Sequence, residues 1–193
     1  FALLWVLNHE LGTETAGVGL VAIGAFNILA RVAVLGAATG LIRWISRLRA
    51  VHAVDVIPKM MAVSLVPVVG ISLLFAWLMG AQSTWLADLF ANGTGVPQLA
   101  RVFLALAPLL PLAVIETVLV SSTRGYEVMW PQAVIEKIGR ALLLPVVVLL
   151  TTRLGGDVVA VARVWALTNL VALIPAVVVS RRLLQAAGGT GRP

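Results

Sequence analysis

The 193-residue chain contains no cysteine. That absence excludes a disulfide framework, a thiolate metal site and a cysteine nucleophile, and leaves the redox compartment open. The chain is also poor in charge: 11% of its residues are Asp, Glu, Lys or Arg, against about 25% in a soluble domain. Its two histidines, His9 and His52, stand alone, and no carboxylate lies near either at a metal-site spacing. A nucleophile elbow, a phosphate-binding glycine loop and paired catalytic carboxylates are all missing, so no residue pattern points to an enzyme or to a bound cofactor.

What is abundant is apolar surface. Hydrophobic residues make up 61% of the chain and the mean hydropathy is +1.05, which is the composition of an integral membrane protein. A net charge of +6 and a pI near 11.3 would suit nucleic acid if the basic residues shared one polar face with interleaved aromatics. Instead they sit between apolar runs, as topology determinants do, and nucleic acid is set aside as a partner. The partner that composition does imply is membrane lipid.

The apolar runs predict an all-α, polytopic bundle of six helices, without a soluble domain or a short repeat. Residues 1–9 are too short to cross a hydrocarbon core, and nothing basic precedes them as in a signal peptide. They read as the second half of a first span. Further spans are expected at about 16–43, 60–79, 99–122, 133–152 and 158–180, so that residues 1–187 form a single lobe. Residues 188–193, Gly-Gly-Thr-Gly-Arg-Pro, read as the start of a linker.

Charge tests this count, because basic residues in short loops collect on the cytoplasmic side. Arg43, Arg47, Arg49, Lys59, Arg124, Lys137, Arg140, Arg181, Arg182 and Arg192 fall inside, which is ten of the fourteen. Only Arg101 and Arg153 fall outside. Between the third and fourth spans, Trp85, Leu86, Leu89 and Phe90 suggest a short amphipathic segment lying at the interface. Pro108 and Pro111 predict a kink or local unwinding in the fourth span, and Pro145 and Pro175 mark other places where a helix can bend. Asn92-Gly93-Thr94 fits a glycosylation acceptor, a pattern common by chance.

The charge that topology does not explain is Arg31. On a continuous second span it lies about 18 Å along the axis from Arg43, beyond snorkelling reach. An ionised side chain near a bilayer centre costs roughly 3 to more than 10 kcal/mol. Asn27, four residues earlier, shares its helix face. Glu116 in the fourth span is the candidate partner. Either Arg31 and Glu116 form a static ion pair, or both line a watery cavity in which Arg31 holds an anionic group and Glu116 exchanges a proton. Asn169 is a further polar residue inside the sixth span. Arg163 is close enough to the outer end to snorkel, and Glu136 with Arg140 has the spacing of a surface ion pair.

Several segments also resemble a known family. Gly36-Ala37-Ala38-Thr39-Gly40-Leu41-Ile42-Arg43-Trp44 is similar to the inner end of the second helix in polysaccharide flippases of the multidrug/oligosaccharidyl-lipid/polysaccharide superfamily. Leu11-Gly12-Thr13-Glu14-Thr15-Ala16-Gly17 resembles their first external loop, with Thr13 in place of a proline and Ala16 in place of a tyrosine. Thr123-Arg124-Gly125-Tyr126 and Glu136-Lys137-Ile138-Gly139-Arg140 resemble the connection between the fourth and fifth helices, particularly in the actinobacterial type.

The resemblance implies the amino-terminal lobe of a two-lobe transporter in a bacterial cytoplasmic membrane. Such a protein moves lipid-linked saccharide outward by alternating access, in some members with H+ or Na+ coupling, and a carboxy-terminal lobe of the same chain would complete it. A diphosphate-sugar headgroup needs a cationic, hydrated path while its polyprenyl tail stays in lipid. Arg31, Asn27, Glu116 and Asn169 are then expected along that path, with Arg43 and Arg124 at its inner mouth or acting on topology alone. A drug or metabolite antiporter of the same superfamily, and a non-transporting subunit of a glycan-synthesis complex, are the alternatives.

Overall fold

A computed structural model describes residues 13–91, 95–128 and 140–189. These residues are almost all helical, joined by short turns, without a strand among them. Eight α-helices follow in order: α1 (Thr13–Val34), α2 (Ala37–Ala50), α3 (Ile57–Ala81), α4 (Ser83–Ala91), α5 (Val96–Leu106), α6 (Leu110–Ser122), α7 (Arg140–Arg153) and α8 (Val158–Gly189). Three 3-10 turns, Val54–Val56, Ala107–Leu109 and Thr123–Tyr126, complete the set.

Among the described residues, four stretches are long and apolar enough to cross a membrane: Thr15–Val34, Ile57–Ala81, Val96–Tyr126 and Val158–Leu183. In hydrocarbon every backbone N–H and C=O must be satisfied within the chain, which a helix does by itself. The hydroxyls follow the same rule. Ser72, Thr117, Ser122 and Thr123 each donate to a carbonyl three or four residues back, at 2.7 to 2.9 Å, so burying them leaves no orphan donor. The first of the six expected spans lies outside the described residues, as does the start of the fifth, whose described part is α7.

Contacts at the two ends set the relative directions of the helices. At one end Gly19 packs on Val158, the first residue of α8, and Gly95 packs on Val18. At the other end Gly125 packs against Ile45, and Ser180 donates to the carbonyl of Leu119 at 3.5 Å. The rod made by α1 and α2 therefore runs in the same direction as α5–α6 and α8. Arg43, Arg47, Arg49, Arg124, Arg181 and Arg182 gather at the Ile45–Gly125 end, the arrangement that charge asymmetry predicts for the cytoplasmic side.

Two apolar clusters hold the bundle. Toward the Val18 end, Phe26, Met79, Phe103, Leu106 and Trp165 are buried together, with Phe26 edge-on to Trp165 at 5.5 Å between ring centres. Toward the Ile45 end, Val34, Leu41, Ile45, Ile57, Met61 and Val118 form the second. α4 lies beside α5, with Phe90 edge-on to Phe103 at 6.2 Å and with Trp85 and Leu89 exposed. This is the amphipathic segment expected between the third and fourth spans.

Two interruptions deserve separate accounts. The kink expected at Pro108 and Pro111 is present as the 3-10 turn Ala107–Leu109 between α5 and α6. The expected continuous second span over 16–43, by contrast, is broken. Leu35 and Gly36 both take positive φ, 46° and 73°, and the chain restarts as α2. A glycine adopts this left-handed conformation without strain, whereas a leucine pays about 1–2 kcal/mol for it.

Candidate functional site

The break fixes the setting of Arg31, which falls in the last turn of α1. Its depth follows from the end contacts. Arg31 lies thirteen residues after Val18 and fourteen before Ile45, so at 1.5 Å per residue it stands about 20 Å from either end. The apolar span itself ends at Val34, so Arg31 lies three residues, about 5 Å, from the point where α1 gives way to the break. Leu35 and Gly36 follow about one turn further in.

Arg31 is exposed on the surface of the described chain, and its side chain makes no hydrogen bond or ion pair among the described residues. Asn27 is exposed on the same face, with its amide nitrogen donating to the Ile23 carbonyl at 2.9 Å. That leaves the amide oxygen open as an acceptor. Gly24 precedes them and Leu35, 64% exposed, follows. The result is one helix face that is small and polar above and opens onto irregular backbone below.

The break adds main-chain polarity to this face. No side chain caps the start of α2, where Gly36 occupies the cap position. The first N–H groups of α2 and the last carbonyls of α1 are groups that a helix leaves unsatisfied at its ends. One bond closes the end of α1, from Leu35 N–H to the Val32 carbonyl at 3.1 Å, and another opens α2, from Gly40 N–H to the Gly36 carbonyl at 2.9 Å. Irregular backbone at membrane depth is tolerated only where it is buried in protein or lines a watery cavity. Arg31, Leu35 and Gly36 are all exposed on the surface of the described chain.

Glu116 has different surroundings. It is 2% exposed on α6 and has a partner within the fold. It lies nine residues before Gly125, as Gly36 lies nine before Ile45, so the carboxyl is level with the break. Of the two readings for Arg31 and Glu116, an ion pair between them does not occur among the described residues, where Arg31 is exposed and Glu116 enclosed. Arg43 and Arg124 are exposed at the inner end, a position that serves topology without further argument. Asn169 belongs to α8, and the orientation of its side chain lies outside the described residues.

Two polar features escaped sequence reasoning. At the inner end, Ser46 Oγ and Arg49 Nη1 both donate to the Gly125 carbonyl, at 3.3 and 3.4 Å, and the Arg49 guanidinium lies 5.7 Å from the centre of the Tyr126 ring. A Cβ on Gly125 would come within 2.7 Å of Ile45 Cβ, which is why glycine stands there. At the other end, Arg101, Asp157 and Arg163 line a cavity of about 290 Å³. Neither contact has a signature in local sequence, because each joins residues more than fifty positions apart.

No group of three or more metal-ligating side chains occurs among the described residues. No family model, curated protein or solved structure matches the chain.

Proposed function

We propose that this chain is one lobe of an exporter that moves lipid-linked saccharide across a cytoplasmic membrane, and that the substrate's charged headgroup passes along the face of α1 carrying Asn27 and Arg31. The observation that carries the reading is the broken helix: an uncapped helix start at Gly36 and a guanidinium with no hydrogen-bond or ion-pair partner among the described residues share one exposed face. Discontinuous helices at the membrane midplane, with their ends turned toward the substrate, are a recurring design in secondary transporters.

The chemistry of that face selects an anion. Arg31 offers a fork of donors that fits phosphate oxygens two at a time, and the uncapped N–H groups of α2 add donors of the same sense. Asn27 supplies an acceptor for sugar hydroxyls. Export by a second lobe opposite this face would keep the break out of lipid, and the resemblance to polysaccharide flippases supplies the saccharide. An antiporter for cationic drugs fits less well, since the exposed charge is positive and the nearby carboxyl is enclosed.

Glycan export in cells carrying variants of the full gene product tests the proposal. Arg31→Ala is expected to lower export about tenfold or more, and Arg31→Lys to retain part of it, as for loss of a charge-assisted phosphate contact. Unchanged export by Arg31→Ala at normal protein levels sinks the proposal.

A further inference from the structure

The cavity of about 290 Å³ lies between the second half of α5 and the first two turns of α8, away from the break. Arg101 on α5 and Arg163 on α8 line it together with Asp157, and Leu104, Val159 and Ala160 form its apolar wall. Snorkelling alone explains one arginine near a membrane surface. It does not explain why two helices each deliver one to a shared cavity.

The charges in the cavity do not cancel. Asp157 Oδ1 accepts from the Ala160 N–H at 2.9 Å, so it serves as the N-cap of α8. Neither guanidinium makes a hydrogen bond or an ion pair among the described residues. Two unpaired cations therefore face one carboxylate whose capping oxygen is already engaged. Like charges held in a partly apolar cavity repel unless an anion joins them, and a phosphate presents oxygens to both forks at once.

We infer that the Arg101–Arg163 cavity binds a phosphate group at the membrane–water boundary. The reading does not rest on the export proposal, because it concerns the opposite end of the helices from the inner mouth and a different set of side chains. Phosphate on a lipid headgroup and free phosphate share this chemistry. The apolar wall provides a contact for acyl chain that only the lipid uses.

The test is binding of fluorescent phosphatidate to the purified full-length protein in phosphatidylcholine nanodiscs, with inorganic phosphate as competitor. Arg101→Gln with Arg163→Gln is expected to weaken binding about tenfold or more, while Arg153→Gln, exposed but outside the cavity, leaves it unchanged. Asp157→Asn keeps the helix cap and removes the negative charge, so it is expected to tighten binding, and it decides the matter if the double variant fails to fold. Displacement by millimolar inorganic phosphate assigns the site to free phosphate, and retention of the lipid assigns it to the headgroup. Wild-type affinity in the folded double variant, or weaker binding in Asp157→Asn, overturns the inference.

Discussion

Two apolar rods run side by side through this bundle, and each is interrupted. The rod of α5 and α6 tightens into a 3-10 turn at Ala107–Leu109 with its backbone in the right-handed helical region, and most of its more apolar stretch is buried. The rod of α1 and α2 breaks at Leu35 and Gly36 with two positive φ angles, and both residues are exposed. One interruption is packed by neighbours and carries no exposed charge. The other exposes its backbone beside Arg31. A proline kink inside a packed rod shapes the bundle, while an exposed break beside a cation at the same membrane depth demands water or another protein surface.

Mutations can sharpen that contrast. The largest effect belongs to the packed side of the bundle: Phe26→Ala removes a 1% exposed ring from the contact with Trp165 and is expected to lower unfolding free energy by about 3 kcal/mol in mixed micelles. A loss under about 1 kcal/mol would mean that the aromatic cluster does not hold the rods together. Next comes Gly125→Val, whose side chain meets Ile45 where a Cβ alone is already too close. Overpacking there should cost about 2 kcal/mol, read as a lower melting temperature.

The smallest effect is the most diagnostic. Leu35→Asn replaces a leucine at φ 46° by a residue that tolerates the left-handed region. With water at the break, the relief of strain raises stability by about 0.5–1 kcal/mol. With lipid there, burying the amide lowers it. The sign of the change in melting temperature separates the two.

Much of the architecture is legible in the sequence, because the hydrophobic requirement of a bilayer writes spans of about 20 residues directly into composition. The third, fourth and sixth spans match α3, α5–α6 and α8 with extensions at their ends, and the Pro108–Pro111 kink announces itself through proline chemistry. The break at Leu35 and Gly36 does not. No proline marks it, and Gly36 stands among Gly24, Ala33, Ala37 and Gly40, small residues that equally well signal close helix packing. Arg31 and Asn27 were visible as polar residues in an apolar run. Whether Arg31 met Glu116 depended on how two helices turn about their axes, and so did the joining of Arg101 to Arg163. Side-chain partners set by helix rotation leave no local mark.

The central claim is that the Arg31 face meets water, and these 193 residues contribute no native thiol that would compete with one placed on that face. Single cysteines placed at Leu35 and Ile28 in the full-length protein, in native membranes, can be challenged with a membrane-impermeant maleimide. Leu73→Cys and Val63→Cys, exposed on α3, serve as references for a lipid-facing surface. The account predicts rapid labelling at residue 35, weaker labelling at residue 28 and little at 63 or 73. Labelling at residue 35 as slow as at residue 73 would contradict it.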